Sequence, residues 1–249
     1  MNEIKKEVPW SIKDVFVVLA ISFLLAIMMS FILIGPFRLE LETVTLILIR
    51  FYTPLSLLLL PFFWAIKLRG ASIRDIGIQG VSHPLKNLFI GIGVGIIAFF
   101  ISFGWRIFPQ LFILLESHLP EDFARGFIKE GLKWLFTKGL IVVFLDAFYQ
   151  EVYFRGFAYQ AFLKKFNRKW ALILSALFFS IMHFDYFNQF FWQYFLIRFA
   201  AGLLFAYLFD ITHSLLAPTV AHSLCLYLSY LLEALVIMNQ YPTRFGITP

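Results

Sequence analysis

The sequence predicts an all-α protein, a polytopic transmembrane helical bundle of about seven to eight spans with an amphipathic helix in the membrane interface. Three observations carry this. Of 249 residues, 61% are hydrophobic and only 14% charged, whereas a soluble domain carries about 25% charged residues. Mean hydropathy is +0.82. The apolar residues also fall in long runs with few or no charges rather than being dispersed.

The first run, Val15–Ile34, has 20 residues and no charge. As a helix it is about 30 Å long, the thickness of a hydrocarbon core. Lys5, Lys6 and Lys13 precede it. Its length and the lack of an A-x-A site make it a signal anchor rather than a cleaved signal peptide. Val44–Ile66 and Leu88–Trp105 follow, then Gly139–Leu163, Trp170–Phe184, Phe187–Phe209 and Leu215–Met238. The fifth is short and is expected to continue through Phe187. Gly91, Gly93 and Gly95 are read as a thin helix surface for close packing, not as a GxxxG pair. Between the third and fourth runs, Glu121–Phe136 sets Phe123, Phe127, Ile128, Leu132 and Leu135 opposite Arg125, Lys129, Glu130 and Lys133. That pattern fits a helix lying in the interface or packed across the mouth of the bundle. Residues 1–249 read as a single membrane domain.

Basic residues set the orientation. With the N-terminus in the cytoplasm, inside segments hold Lys67, Arg69, Arg74 and Lys86, then Lys164, Lys165, Arg168 and Lys169, while the short outside loops hold only Arg38. This asymmetry predicts an N-in, multi-pass protein of the plasma membrane. The net charge of +6 then reflects basic loops facing anionic membrane lipid. No basic, aromatic-rich soluble face suggests nucleic-acid binding. The single cysteine, Cys225, excludes a disulfide within the chain.

Ionisable groups inside spans are costly and mark function. Asp146, Glu151, Arg155, His183, Arg198, His222 and Glu233 lie in the last four runs, and only Arg50 lies earlier. Counted from the inside ends, Glu151 lies roughly 18 Å deep, His183 roughly 20 Å and His222 roughly 12 Å. One buried cluster is the expectation. Glu151 and Arg155, one turn apart, form a structural ion pair.

The motifs in order are QEVYFRG (Gln150–Gly156), FSIMH (Phe179–His183) and APTVAHSLCL (Ala217–Leu226). They resemble the CPBP family, the CAAX-protease and bacteriocin-processing (Abi) membrane proteins, which carry EExxxR, FxxxH and HxxxN/D on successive helices. The resemblance covers about residues 140–235. It implies a glutamate-type intramembrane endopeptidase without metal or other cofactor. By position, His183 matches the water-activating histidine and His222 the first oxyanion donor. Glu151 and Arg155 match the second glutamate and the arginine.

Two positions depart from the pattern. Gln150 stands where the first glutamate is expected, and Leu226 where the asparagine is expected. An amide can orient a water but cannot accept its proton. General-base assistance is worth about 10²–10⁴-fold, and one oxyanion donor about 10²–10³-fold. Asp146, one turn before Gln150 on the same face, is a possible substitute base. Ser229 is a substitute for the missing donor, although a serine there commonly bonds its own helix. Glu151 points about 100° away from Gln150.

Whether the chain is an enzyme is therefore open at this level. One reading is a metal-independent endopeptidase acting on a hydrophobic or lipidated peptide. The alternative is a pseudoprotease that binds hydrophobic segments or lipid as a scaffold, chaperone or immunity factor. A zinc site of Glu151, His183 and His222 is disfavoured by Arg155 and the absence of HExxH. A transporter is disfavoured by the absence of inverted repeats.

Overall fold

A computed structural model describes residues 8–78, 83–116, 139–183 and 191–240. Among these residues the structure is helical throughout, without strands. We number the long helices α1 (Ile12–Ile34), α2 (Leu41–Leu68) and α3 (Pro84–Glu116). α4 covers residues 140–165, α5 is Arg168–Met182, α6 is Phe191–Thr212 and α7 is Leu216–Gln240.

Among the described residues, four stretches are both long and apolar enough to cross a membrane: Ile12–Ile34, Leu41–Leu68, Pro84–Ser102 and Trp192–Thr212. The chain is an integral membrane protein. α4 carries Asp146, Glu151 and Arg155 within its length. α5 has 15 residues, about 22 Å at helical rise. The expected continuation of this run through Phe187 and the amphipathic segment Glu121–Phe136 both lie outside the described residues. α3 continues well past the expected end at Trp105, to Glu116.

Contacts among helix ends gather the basic segments at one end of the bundle. Ser11 caps α1 together with Asp14, and Asp14 accepts hydrogen bonds from Trp64 Nε1 at 2.8 Å and Arg69 Nε at 2.9 Å. The start of α1 is thereby fastened to the end of α2. Lys164 donates to the Val8 carbonyl at 2.9 Å, and Arg168 at the start of α5 pairs with Asp210 near the end of α6. Asn167 caps α5 by accepting from the Trp170 amide at 3.1 Å.

Two apolar cores result. One joins α1 and α2 to the middle of α4 and to α5, through Trp10, Val15, Leu57, Ile76, Phe154, Phe157 and Phe178. The other joins α3, α6 and α7 through Ala98, Ala201, Phe205, Leu208, Ala221 and Cys225. The contact of α3 with α7 corrects the glycine reading. Gly91 and Gly95 stand four residues apart, one helical turn, and both face α7. A Cβ at Gly91 would lie 2.8 Å from the Ala217 carbonyl oxygen, and one at Gly95 would lie 2.8 Å from that of Ala221. Small residues on both sides let the backbones meet, which is GxxxG packing. Gly93 faces open space and takes no part.

Candidate active site

α4 changes pitch inside the first motif. Leu140–Glu151 is α-helical, Val152–Tyr159 is π-helical, and Gln160–Lys165 returns to α. A π turn is rare and frequent at functional sites. All eight of its residues are buried. Gly156 within it lets the Ile73–Ile76 turn approach, because a Cβ there would stand 2.6 Å from the Ile76 carbonyl oxygen.

The pitch change starts immediately after Glu151. Glu151 and Arg155 are both wholly buried. Arg155 Nη1 donates to Glu151 Oε1 at 3.0 Å, while Nη2 donates to the Gly202 carbonyl of α6 at 2.9 Å. The guanidinium also lies over the Phe179 ring at 4.7 Å, a cation–π contact strengthened by desolvation. On the other side, His222 Nδ1 contacts the same Glu151 Oε1 at 2.7 Å. At that distance from a carboxylate, Nδ1 carries the proton. The His222 ring stacks on Phe205, with centroids 4.8 Å apart, and meets Phe179 edge-on at 5.6 Å. Three helices thus fix the imidazole that α7 carries: α4 through the hydrogen bond, α5 and α6 through the rings.

His183 ends α5 as its C-cap. Its Nδ1 donates to the Phe179 carbonyl at 2.8 Å, and its Nε2 lies 3.0 Å from the Gln150 side-chain oxygen as placed. A carbonyl only accepts, so Nδ1 is protonated and Nε2 of a neutral ring is an acceptor. We therefore assign the Gln150 amide turned over, with its N–H donating to His183 Nε2. The turned amide also presents its oxygen to the Tyr149 hydroxyl, 3.5 Å away. Arg198 donates to the His183 carbonyl and holds the end of α5 against α6.

These groups open onto one cavity of about 340 Å³. Asp146, Gln150, His183, His222, Leu226 and Ser229 all line it, as do Ser102 of α3 and Arg198, Tyr194 and Phe205 of α6. The expected residues therefore divide into three groups. Arg155 and His222 each bond to Glu151. Gln150 and His183 form a second pair. Asp146 lines the cavity without a hydrogen bond among the described residues, with Arg50 and His222 in electrostatic reach. Ser229 donates to its own helix, to the Cys225 carbonyl at 2.5 Å. Leu226 presents only hydrocarbon. No group of three His, Cys, Asp or Glu side chains converges as metal ligands among the described residues. Arg198 was singled out from sequence as an ionisable residue within a span, whereas Ser102, Tyr194 and Phe205 were not. Ser102 sits in a span read as packing only, although its spacing from Gly91 and Gly95 puts it near the face toward α7.

The family model for Rce1-like proteins, type II CAAX prenyl endopeptidases, matches residues 132–228. The match contains all three motifs and every cavity residue named above except Ser102 and Ser229. The match covers less than half of the chain. No curated protein and no solved structure matches the chain.

Proposed function

We propose that this protein is a CAAX-type endopeptidase that hydrolyses a peptide bond near a membrane-embedded or lipidated segment, through an atypical site. The reading takes all seven long helices as spans, with the N-terminus and the basic end in the cytoplasm. The observation that carries it is the meeting of two histidines from α5 and α7 at one cavity, one of them held by a wholly buried carboxylate. Bulk packing does not require a fixed imidazole facing a cavity. The Rce1-like match over 132–228 points to the substrate class, a prenylated C-terminal peptide.

The test is purified full-length protein in detergent with a farnesylated Cys-aliphatic-aliphatic-any peptide bearing a fluorophore and quencher. Cleavage at one bond, identified by product mass and reduced when the lipid is left off, is the expected outcome. An intact peptide at high enzyme concentration sinks the peptidase reading. It would favour a pseudoprotease, a reading supported by two observations: the Gln150 amide occupies His183 Nε2, and Leu226 offers no donor.

A further inference from the structure

We infer that His222, and not His183, takes the proton of the attacking water, with Glu151 as its positioning partner. The inference rests on the endopeptidase reading above, and it reverses the roles that the motif positions imply.

Both nitrogens of His183 are occupied, Nδ1 by the Phe179 carbonyl and Nε2 by Gln150. No lone pair is available there unless Gln150 swings away. In His222 the proton sits on Nδ1, facing Glu151 Oε1 at 2.7 Å. The neutral ring therefore carries its lone pair on Nε2. That nitrogen has no hydrogen-bond partner among the described residues, and His222 lines the cavity. A buried carboxylate on one imidazole nitrogen, with the other facing the reaction space, is how a histidine base is held in the required tautomer and orientation. Glu151 is in turn fixed by Arg155, and the ring is fixed by Phe205 and Phe179. The charged groups around His222 are Glu151, Arg155 behind it, and Asp146 and Arg198 in the lining of the same cavity.

Asp146 is the other base in reach. It also lines the cavity, but no hydrogen bond among the described residues aims its carboxylate. A base works when held within hydrogen-bond distance of the proton it abstracts, and His222 is held by partners on three other helices.

The step balances without a cofactor. The water oxygen adds to the scissile carbonyl carbon as its proton passes to His222 Nε2. The carbon–nitrogen bond then breaks, and the Nε2 proton goes to the leaving nitrogen. The products are a carboxylate-terminated peptide and an amine-terminated one, and His222 returns to the neutral ring.

The experiment compares wild type with H222Q, H183Q and D146N on the farnesylated peptide, each checked for a monodisperse elution profile. H222Q is expected to lower kcat by about 10²–10⁴-fold with KM little changed, and by more than either H183Q or D146N does. Near wild-type activity in H222Q overturns the inference while leaving the peptidase reading intact, as does a large loss confined to H183Q or D146N. An inactive wild type overturns both. Because H222Q can also disturb folding, the tautomer is read independently in wild-type protein carrying nitrogen-labelled histidine, by NMR at the assay pH. A neutral His222 protonated on Nδ1 is expected. A ring protonated on Nε2 overturns the inference.

Discussion

The two histidines of the cavity sit in opposite circumstances. His183 is at a helix end and is closed: a main-chain carbonyl holds one nitrogen and the Gln150 amide the other. His222 is inside a helix and is open on one side, with Glu151 on Nδ1 and the cavity beyond Nε2. The same side chain in the same cavity is therefore either a wall or a reagent, depending on its partner. The difference comes from one position. A glutamate at 150 would place a carboxylate against His183, whereas Gln150 places an amide there and leaves the carboxylate at 151 to serve His222.

That contrast breaks most severely at Arg155. R155M would strand Glu151, a charge with no exposure to solvent. Losing one partner of a buried pair costs about 3–5 kcal/mol, read as a lowered Tm in detergent. Replacing both members, R155M with E151L, should recover most of the stability but none of the activity, since His222 then loses its orienting partner. Next in size is a gain. L226N supplies an oxyanion donor from α7, one turn beyond His222, and should raise kcat by about 10²–10³-fold, measured with the same peptide. A smaller effect is expected at the helix contact that carries His222. G95A puts a Cβ against the Ala221 carbonyl oxygen, so overpacking should lower stability by about 1–3 kcal/mol. G93A, facing open space, is the control and should change Tm little. The smallest effect is S229A. Its hydroxyl is engaged by Cys225 within the same helix, so activity should stay within about twofold of wild type.

Much of this arrangement can be read from residues. Long apolar runs located the long helices because chain length and bilayer thickness are linked through helical rise. Ionisable residues in the second half marked the site because burying them without a role is costly. The one-turn spacing of Glu151 and Arg155 likewise indicated their pair. Other features were not legible, for identifiable reasons. The π stretch after Glu151 is a property of backbone pitch that side-chain periodicity does not encode. Gly91 and Gly95 have GxxxG spacing in plain sight, yet the intervening Gly93 obscures which pair faces a neighbour, and only the approach of α7 decides it. Which histidine nitrogens are occupied depends on partners 33 and 71 residues away, a distance no motif spans. Arg155 reaching the Gly202 carbonyl belongs to the same class of long-range fact.

The contrast also bears on how a CPBP pattern with two substitutions is read. Counting motif matches gives a damaged site, because Gln150 and Leu226 each remove a group. Counting hydrogen-bond capacity gives a site whose open base has moved from α5 to α7. The second count makes the sharper statement, since it assigns the proton to a named atom.

The most direct measurement is cleavage of the farnesylated peptide in water enriched in the heavy oxygen isotope, followed by mass spectrometry of the products. The account predicts one heavy oxygen in each new carboxyl group with wild-type protein and with H183Q, and almost no product with H222Q. Peptide left intact by wild type, or product formed equally well by H222Q, would contradict it.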